Sequence, residues 1–262
     1  MKNILKTLLF LVISITSLNA STVTKAQCDK KGNNFIFVAN ECLQFHTALA
    51  ENTNSLNIIV HGTWKAGTNI LARYAPFAED LALQTDITTV AIALPGYSGS
   101  STNNFRALSH LSKTKPQAAQ KKYLFFLAKV IEAFKKKYHA KKINYIGHSA
   151  GAMMGATLIG LKPNLILNLF SAGGIYDVHK TRETKGLVSA VDYIDKISKK
   201  TKIFLIYGTK DKISKPKMTK EFYKLAKSKS LNVAIVKVSG SGHLGLDMSD
   251  KSVETISNAL SH

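Results

Sequence analysis

KINYIGHSAG, residues 142–151, is the stretch of this sequence that decides its fold class. It begins as an apolar β-like run and ends in a Gly-x-Ser-x-Gly pentad, formed by Gly147, Ser149 and Gly151. The small residues that follow suit a helix packed closely on a sheet. Glycines on both sides of the serine leave room for a sharp turn that holds its hydroxyl out of the fold. The sequence therefore predicts a strand, a presented serine and a helix in direct succession.

The same alternation of β-like runs and longer amphipathic segments extends over most of the chain. Predicted strands are 35–39, 42–45, 56–60, 89–94, 143–146, 165–170, 203–207 and 233–238, and predicted helices are 70–83, 117–138, 149–161, 187–197, 217–228 and 252–260. From residue 56 onward the strands are apolar throughout, which is typical of parallel strands buried on both faces. We predict an α/β fold with a mostly parallel twisted sheet of about eight strands, helices on both faces and an N-terminal antiparallel hairpin.

Length and the N-terminal composition indicate one domain behind a targeting segment. Lys2 precedes the nearly all apolar run 4–15, Lys6 lies near the start of that run, and a small residue, Ala20, ends the segment. This pattern predicts a secretory signal peptide over 1–20, and the apolar run of about a dozen residues is short for a membrane-spanning helix. A retained membrane anchor is the alternative. The remaining residues, 21–262, are the right length for a single α/β domain.

Export would place the two cysteines, Cys28 and Cys42, in an oxidising compartment. An even number of cysteines at short spacing then favours a disulfide between them, with a reduced buried pair as the alternative. We expect a periplasmic or secreted protein without stable membrane insertion once the signal is removed.

The net charge is +20, and without Lys2 and Lys6 the chain keeps 34 basic against 16 acidic residues. Such a charge raises the possibility of a nucleic-acid partner. The chain has only three arginines, however, and its lysines are scattered without interleaved aromatic residues. We therefore interpret the lysines as solvated faces and expect no nucleic-acid binding. The composition is silent on the oligomeric state.

Functional groups of parallel sheets collect in the loops after the carboxyl ends of the strands. Three such loops carry polar residues suited to catalysis: Ser149 after 143–146, Asp211 after 203–207 and His243 after 233–238. Their order along the chain is serine, acid, histidine. In this order and setting, the sequence resembles the α/β-hydrolase superfamily from about residue 56 to residue 247.

The resemblance implies a catalytic triad in which Ser149 is the nucleophile, His243 the base and Asp211 the acid. Asp177, after the strand 165–170, is the alternative acid, because some members of the superfamily take the acid from that position. Asp247 is interpreted as a capping or solvated residue. His61 is interpreted as a structural residue that shapes its turn through hydrogen bonds.

The resemblance also implies an oxyanion hole made of backbone N–H groups. The donors would be Ala150, directly after the nucleophile, and Thr63, with Trp64 as the alternative to Thr63. Trp64, His148 and Tyr97 are predicted to line the substrate pocket. Only a short segment, 175–201, is available for a cap, so we expect a minimal cap and an open site.

These features predict an exported serine hydrolase acting on small-molecule carboxylic esters through an acyl-enzyme intermediate. A small serine peptidase or amidase is one alternative, and an inactive binding protein with the same fold is another. No cluster of His, Cys and carboxylate residues has metal-ligand spacing, so we expect neither a metal nor another cofactor.

Overall fold

A computed structural model of the chain describes residues 23–64, 68–97, 117–180 and 186–261. The predicted signal peptide, 1–20, lies outside these residues. The described part contains eight strands: β1 (Phe35–Val38), β2 (Glu41–Ala48), β3 (Asn52–Val60), β4 (Ile87–Ile92), β5 (Lys142–His148), β6 (Asn168–Ala172), β7 (Lys202–Gly208) and β8 (Val233–Val238). It also contains six α-helices: α1 (Lys25–Asp29), α2 (Ile70–Thr85), α3 (Lys121–Lys137), α4 (Ala150–Leu161), α5 (Pro216–Ser228) and α6 (Asp250–Leu260).

The eight strands form one sheet in the order β1-β2-β4-β3-β5-β6-β7-β8. β1 pairs antiparallel with β2, and β2 pairs antiparallel with β4, whereas the pairs from β4 to β8 are parallel. This confirms the predicted α/β fold with a mostly parallel sheet and an N-terminal hairpin. In the sheet β4 lies between β2 and β3, although it follows β3 along the chain. As a result β3 lies beside β5, where Val60 pairs with Gly147. The loops that follow these two strands therefore begin next to each other.

Helices cover both faces of the sheet because alternate residues of its strands point to opposite sides. In β3, Ile58 and Val60 belong to the hydrophobic cluster that contains α3 and α4. Ile59, between them, belongs to a second cluster with α2 and α6. The continuous apolar character of the strand is thus explained by burial on both sides.

A ladder of three buried asparagines crosses the centre of the sheet. Asn144 of β5 donates to Asn57 of β3, and Asn168 of β6 donates to Asn144, each at 2.8 Å between the Nδ2 and Oδ1 atoms. The three residues are direct partners in the strand register. A slip by one residue would separate the amides and leave them unpaired in the interior, so the ladder favours this register.

The segment between β6 and β7 is short, as the predicted minimal cap requires. Its described part contains the 3-10 turns Val178–Lys180 and Ala190–Lys196, the second of which replaces the helix predicted over 187–197. A methyl group added at Gly160 of α4 would lie 2.5 Å from the carbonyl oxygen of Tyr193. The second turn therefore packs directly on α4. Within the described ranges, no helix is both long enough and apolar enough to cross a membrane.

Helix α1 was not predicted, and it begins with a capping box in which Thr24 and Gln27 satisfy each other's backbone N–H groups. Cys28, at the end of this helix, forms a disulfide with Cys42 of β2, and both residues are buried. The disulfide attaches α1 to the hairpin at the edge of the sheet.

We expect that replacing both cysteines, Cys28→Ala with Cys42→Ala, lowers the free energy of unfolding by about 3 kcal/mol, because the bond closes a short loop in the unfolded chain. Urea unfolding of the parent and the variant, each with and without reductant, measures the difference. Reductant should lower the stability of the parent only. Equal stability of the parent with and without reductant would contradict this prediction.

Candidate active site

The site is built around a backbone turn at Ser149, between β5 and α4. Ser149 has φ 52° and ψ −113°, a backbone conformation that residues other than glycine rarely adopt. Its N–H donates to the carbonyl of Ala172 at 2.9 Å, which fixes the turn to the end of β6. A methyl group at Gly151 would lie 2.0 Å from the carbonyl oxygen of Val60, and one at Gly147 would lie 2.8 Å from the backbone of α4. Glycines at both positions therefore allow α4 to start immediately after Ser149.

Three side chains from separate loops form one hydrogen-bonded chain. The Ser149 hydroxyl lies 2.8 Å from Nε2 of His243, and Nδ1 of His243 lies 2.8 Å from Oδ2 of Asp211. Because the carboxylate accepts at Nδ1, the neutral imidazole has its proton there and Nε2 is free to accept from the hydroxyl. The Asp211 side chain is fully buried, and that of His243 is almost so. The arrangement can transfer the hydroxyl proton to His243.

The Asp211 carboxylate is held by its own loop. Its second oxygen, Oδ1, accepts from the backbone N–H groups of Ile213 and Ser214, each at 2.8 Å. These bonds leave Oδ2 directed at His243. The alternative acid, Asp177, accepts instead from the backbone N–H of His179 at 3.1 Å and lies 3.7 Å from the Lys180 ammonium. Of the two carboxylates, Asp211 is the one in contact with the imidazole.

Two residues, His148 and Gly173, contact the loop that carries His243, and neither contact was predicted from the sequence. Nε2 of His148 donates to the backbone carbonyl of His243 at 2.8 Å, and His148 is buried. Gly173 has φ 63°, and a methyl group there would lie 3.3 Å from the His243 ring and 3.4 Å from Oδ2 of Asp211. His148 therefore lies beneath the imidazole rather than on the wall of the substrate pocket, where it was predicted.

The loop after β3 approaches the serine from the other side. A methyl group at Gly62 would lie 2.7 Å from the Ser149 Cβ atom, so only a hydrogen fits there. Thr63 and Ala150 both line the cavity that contains Ser149. The N–H of Ala150 has no acceptor within the helix, because Ala150 is the first residue of α4. The two predicted oxyanion donors are thus on the same cavity as the hydroxyl.

Trp64, the alternative donor and a predicted pocket residue, lies elsewhere. It packs against the cluster that contains α2 and α6, and the Arg73 guanidinium is 4.5 Å above its ring. Trp64 is not among the described residues that line the cavity. Its indole is partly buried against this cluster, because contact with the core is more favourable for a large apolar group than full exposure at the loop surface.

The cavity at Ser149 has a volume of about 280 Å³ and is mainly apolar. Tyr97, the third predicted pocket residue, lies on its wall, and its hydroxyl accepts from the N–H of Ala118 at 2.6 Å. The other apolar residues that line the cavity were not predicted, and they are Ala118, Met153, Ile175, Ile213 and Leu244. They come from five different segments, so no local pattern joins them. Among the described lining residues, His243 is the only one that can carry charge.

His61 links the ends of β3 and β4 as an uncharged residue. Its Nε2 accepts from the N–H of Leu94 at 3.1 Å, so its Nδ1 must donate to the carbonyl of Gly62, 2.7 Å away. Burial is the main cause that lowers its pKa to about 4, with a smaller contribution from His148. The contacts agree with the structural interpretation of this residue, because they fix the turn that carries Thr63.

Asp247 was interpreted from the sequence as a capping or solvated residue, but it is buried. It does not cap α6, since Ser249 has that position. Its carboxylate faces the hydroxyl of Tyr74, whose pKa is raised first by burial and then by Asp247. Neither group, nor the nearby indole N–H of Trp64, makes a hydrogen bond of standard geometry. This buried polar cluster joins the loop of His243 to the loop of Thr63.

The described residues contain no group of three or more His, Cys, Asp or Glu residues arranged to hold a metal ion.

Comparison with known proteins agrees with this architecture. Residues 58–193 match the family model of the alpha/beta hydrolase fold, and the chain belongs to that family. Est1E from Butyrivibrio proteoclasticus, solved with ferulic acid bound, is 17% identical, with 87% of this chain and 96% of that chain covered at a TM-score of 0.62. The esterase Pf2001 of Pyrococcus furiosus is 16% identical, with 86% and 90% covered at a TM-score of 0.66. No curated protein sequence matches the chain. At these identities the structural likeness concerns the fold.

The low pKa of His61 predicts a specific acid sensitivity. Its folded-state pKa of about 4 is below the ordinary 6.5, so the unfolded state binds a proton first as the pH falls. The stabilisation is complete above about pH 6.5 and is lost towards pH 4, with a total of about 3 kcal/mol. Urea unfolding between these pH values should therefore show a smaller pH dependence for His61→Gln than for the parent. His46→Gln is the control for removal of a histidine, and parallel curves for the parent and His61→Gln would exclude this role.

Proposed function

We propose that the protein is an exported serine hydrolase that cleaves carboxylic esters through an acyl-enzyme intermediate on Ser149. The observation that carries this proposal is the chain of contacts from the Ser149 hydroxyl through His243 to Asp211, with both distances at 2.8 Å. A nucleophile next to a base that is oriented by a carboxylate is the arrangement required for acyl transfer.

In the first half of the proposed reaction, the Ser149 Oγ atom attacks the acyl carbon while its proton moves to Nε2 of His243. The C–O bond to the leaving alcohol then breaks, and His243 returns the proton to that alcohol. In the second half, water attacks the acyl-enzyme with His243 again as the base, and the carboxylic acid leaves. Asp211 keeps the imidazole in the required tautomer and stabilises its protonated form.

Negative charge develops on the carbonyl oxygen of the substrate during the attack. We assign the stabilisation of this charge to the backbone N–H groups of Ala150 and Thr63. Ala150 starts α4, so the positive end of the helix dipole is also directed at this oxygen. Removing one donor of this kind from an enzyme typically lowers the rate by about 10²- to 10³-fold. The close approach of Gly62 to Ser149 supports this assignment, because it holds the Thr63 loop against the nucleophile.

The cavity supports an uncharged substrate with a short or medium acyl group. Its volume is about 280 Å³, and the described lining contains no acidic side chain that would hold a substrate amine. A peptidase or amidase acting on amino-terminal substrates is therefore the less supported function. Of the structurally similar proteins, Pf2001 is an esterase and Est1E has ferulic acid bound, so a ferulate ester belongs in the substrate panel.

Export is proposed from two features. The composition of residues 1–20 is that of a signal peptide, and Cys28 and Cys42 form a disulfide, a bond that persists mainly in oxidising compartments.

Labelling with a fluorophosphonate probe tests whether Ser149 is an activated nucleophile. We expect the folded protein to be labelled at Ser149 and to hydrolyse p-nitrophenyl esters from acetate to octanoate faster than aminoacyl anilides. Methyl ferulate extends the panel. Absence of labelling in a folded sample would favour a binding protein, and faster cleavage of the anilides would favour a peptidase.

We predict that Ser149→Ala and His243→Ala each lower kcat/KM for these esters by at least about three orders of magnitude, because each removes a group that takes part in bond making or proton transfer. Circular dichroism and urea unfolding would verify that both variants fold. A folded variant that keeps its activity would exclude the proposed role of the replaced residue.

The identity of the acid is tested by comparing Asp211→Asn with Asp177→Asn. The first change should lower kcat by about 10⁴-fold, since an amide beside Nδ1 favours the wrong tautomer of the imidazole. The second should leave kcat within about twofold, because Asp177 contacts His179 and Lys180 instead. A larger loss in Asp177→Asn would assign the acid to that residue.

A further inference from the structure

The mouth of the cavity carries two exposed apolar side chains. Ile213 is 61% exposed and Leu244 is 71% exposed, and both line the cavity that contains Ser149 and His243. Exposure of such side chains to water is unfavourable, and a pair of them at the entrance of a cavity is a feature of surfaces that contact something apolar.

The two loops that carry these side chains are joined, so the apolar pair is held in place. Thr209 donates its N–H to the carbonyl of Val238 at 3.1 Å, and Lys210 donates to that of Ser241 at 2.9 Å. The N–H of Gly240 donates to the Thr209 hydroxyl at 2.9 Å. We call this paired surface, residues 209–215 and 239–249, the entrance rim.

The exposed charge of the entrance rim has one sign. Its two carboxylates, Asp211 and Asp247, are both buried. Its three lysines, Lys210, Lys212 and Lys215, are exposed and make no ion pair with the described residues. The guanidinium of Arg73 adds a fourth cation next to Gly245. A partner of this surface should therefore be both apolar and negatively charged.

A second exposed apolar pair lies in surroundings of the opposite charge. Leu49 and Leu83 line a separate groove at the edge of the domain, together with the acidic residues Glu51, Glu79 and Asp86. The two pairs are alike in exposure and opposite in surrounding charge. The second pair would be repelled by an anionic partner and is a matched control within the same chain.

We propose that the entrance rim docks on an anionic lipid bilayer. Ile213 and Leu244 enter the interfacial region, and the lysines of the rim contact the lipid headgroups. The binding is peripheral, since the apolar area of two side chains is far below that of a spanning helix. The cavity then opens towards the membrane. If the proposed function holds, its substrate class includes amphiphilic esters with a short or medium acyl group that reach Ser149 from the bilayer.

Sedimentation with vesicles tests docking separately from catalysis, because the Ser149→Ala protein can be used throughout. It is mixed with vesicles of phosphatidylcholine alone, or of phosphatidylcholine with phosphatidylglycerol, at low and at about 0.15 M salt. We expect binding to the anionic vesicles, weakened by salt, and little binding to the neutral ones. Adding Ile213→Ser with Leu244→Ser should lower the partition coefficient at least about tenfold. Lys212→Ser and Lys215→Ser should each lower it about fivefold.

The control pair, Leu49→Ser with Leu83→Ser, should leave the partition coefficient unchanged. The proposal would be overturned if both pairs of substitutions lowered the partition coefficient equally, or if Ile213→Ser with Leu244→Ser did not lower it. Either result would show that only the overall charge attracts the protein. Absence of binding to anionic vesicles would overturn the proposal as well. Self-association of the lipid-free protein would also overturn the proposal if it disappeared in the variant with Ile213→Ser and Leu244→Ser. In that case a second copy of the chain would cover the entrance rim. None of these results depends on whether Ser149 reacts with esters.

Discussion

The left-handed backbone of Ser149 is the constraint around which the surrounding structure is arranged. A non-glycine residue with positive φ has an unfavourable local conformation, which persists only where its neighbours hold it. Here the carbonyl of Ala172 holds the N–H of Ser149, and the glycines at 147 and 151 let α4 approach the end of β3 without a clash. The crossed order of β3 and β4 is what brings that strand end to the serine.

Two buried histidines extend this constraint to the loops on either side. His61 ties the loop of Thr63 to β4, and His148 ties the loop of His243 to β5. Each acts through hydrogen bonds with backbone groups, so the positions of the neighbouring loops depend on the geometry of the imidazole ring. Thr63 and His243 are thus positioned by main-chain contacts with strands whose register the asparagine ladder favours.

Much of this architecture could be predicted from local sequence patterns. The apolar runs marked the parallel strands, and the pentad marked the turn at Ser149, because both features are determined by neighbouring residues. The bounds of β2 were less visible, since the strand continues through polar residues to Ala48 by pairing with β4. Helix α1 has only five residues, so its stability comes from the capping box and the disulfide rather than from its length. The burial of Asp247 and of His148 arises from contacts between distant loops, which a single sequence does not display. The same limit explains why Trp64 was predicted on the pocket wall, although it packs against the cluster that contains α2 and α6.

The hairpin at the start of the domain has a protective role at the margin of the sheet. β1 is four residues long and is the outermost strand on its side, where unpaired backbone groups could template the addition of strands from other molecules. Helix α1 contacts β1 and is attached across the disulfide to β2, so this margin is short and partly shielded. Loss of the disulfide would release α1 from β2, far along the sheet from the contacts of Ser149, His243 and Asp211. In a reducing environment, this margin of the sheet would then be the first place where strands of different molecules could pair.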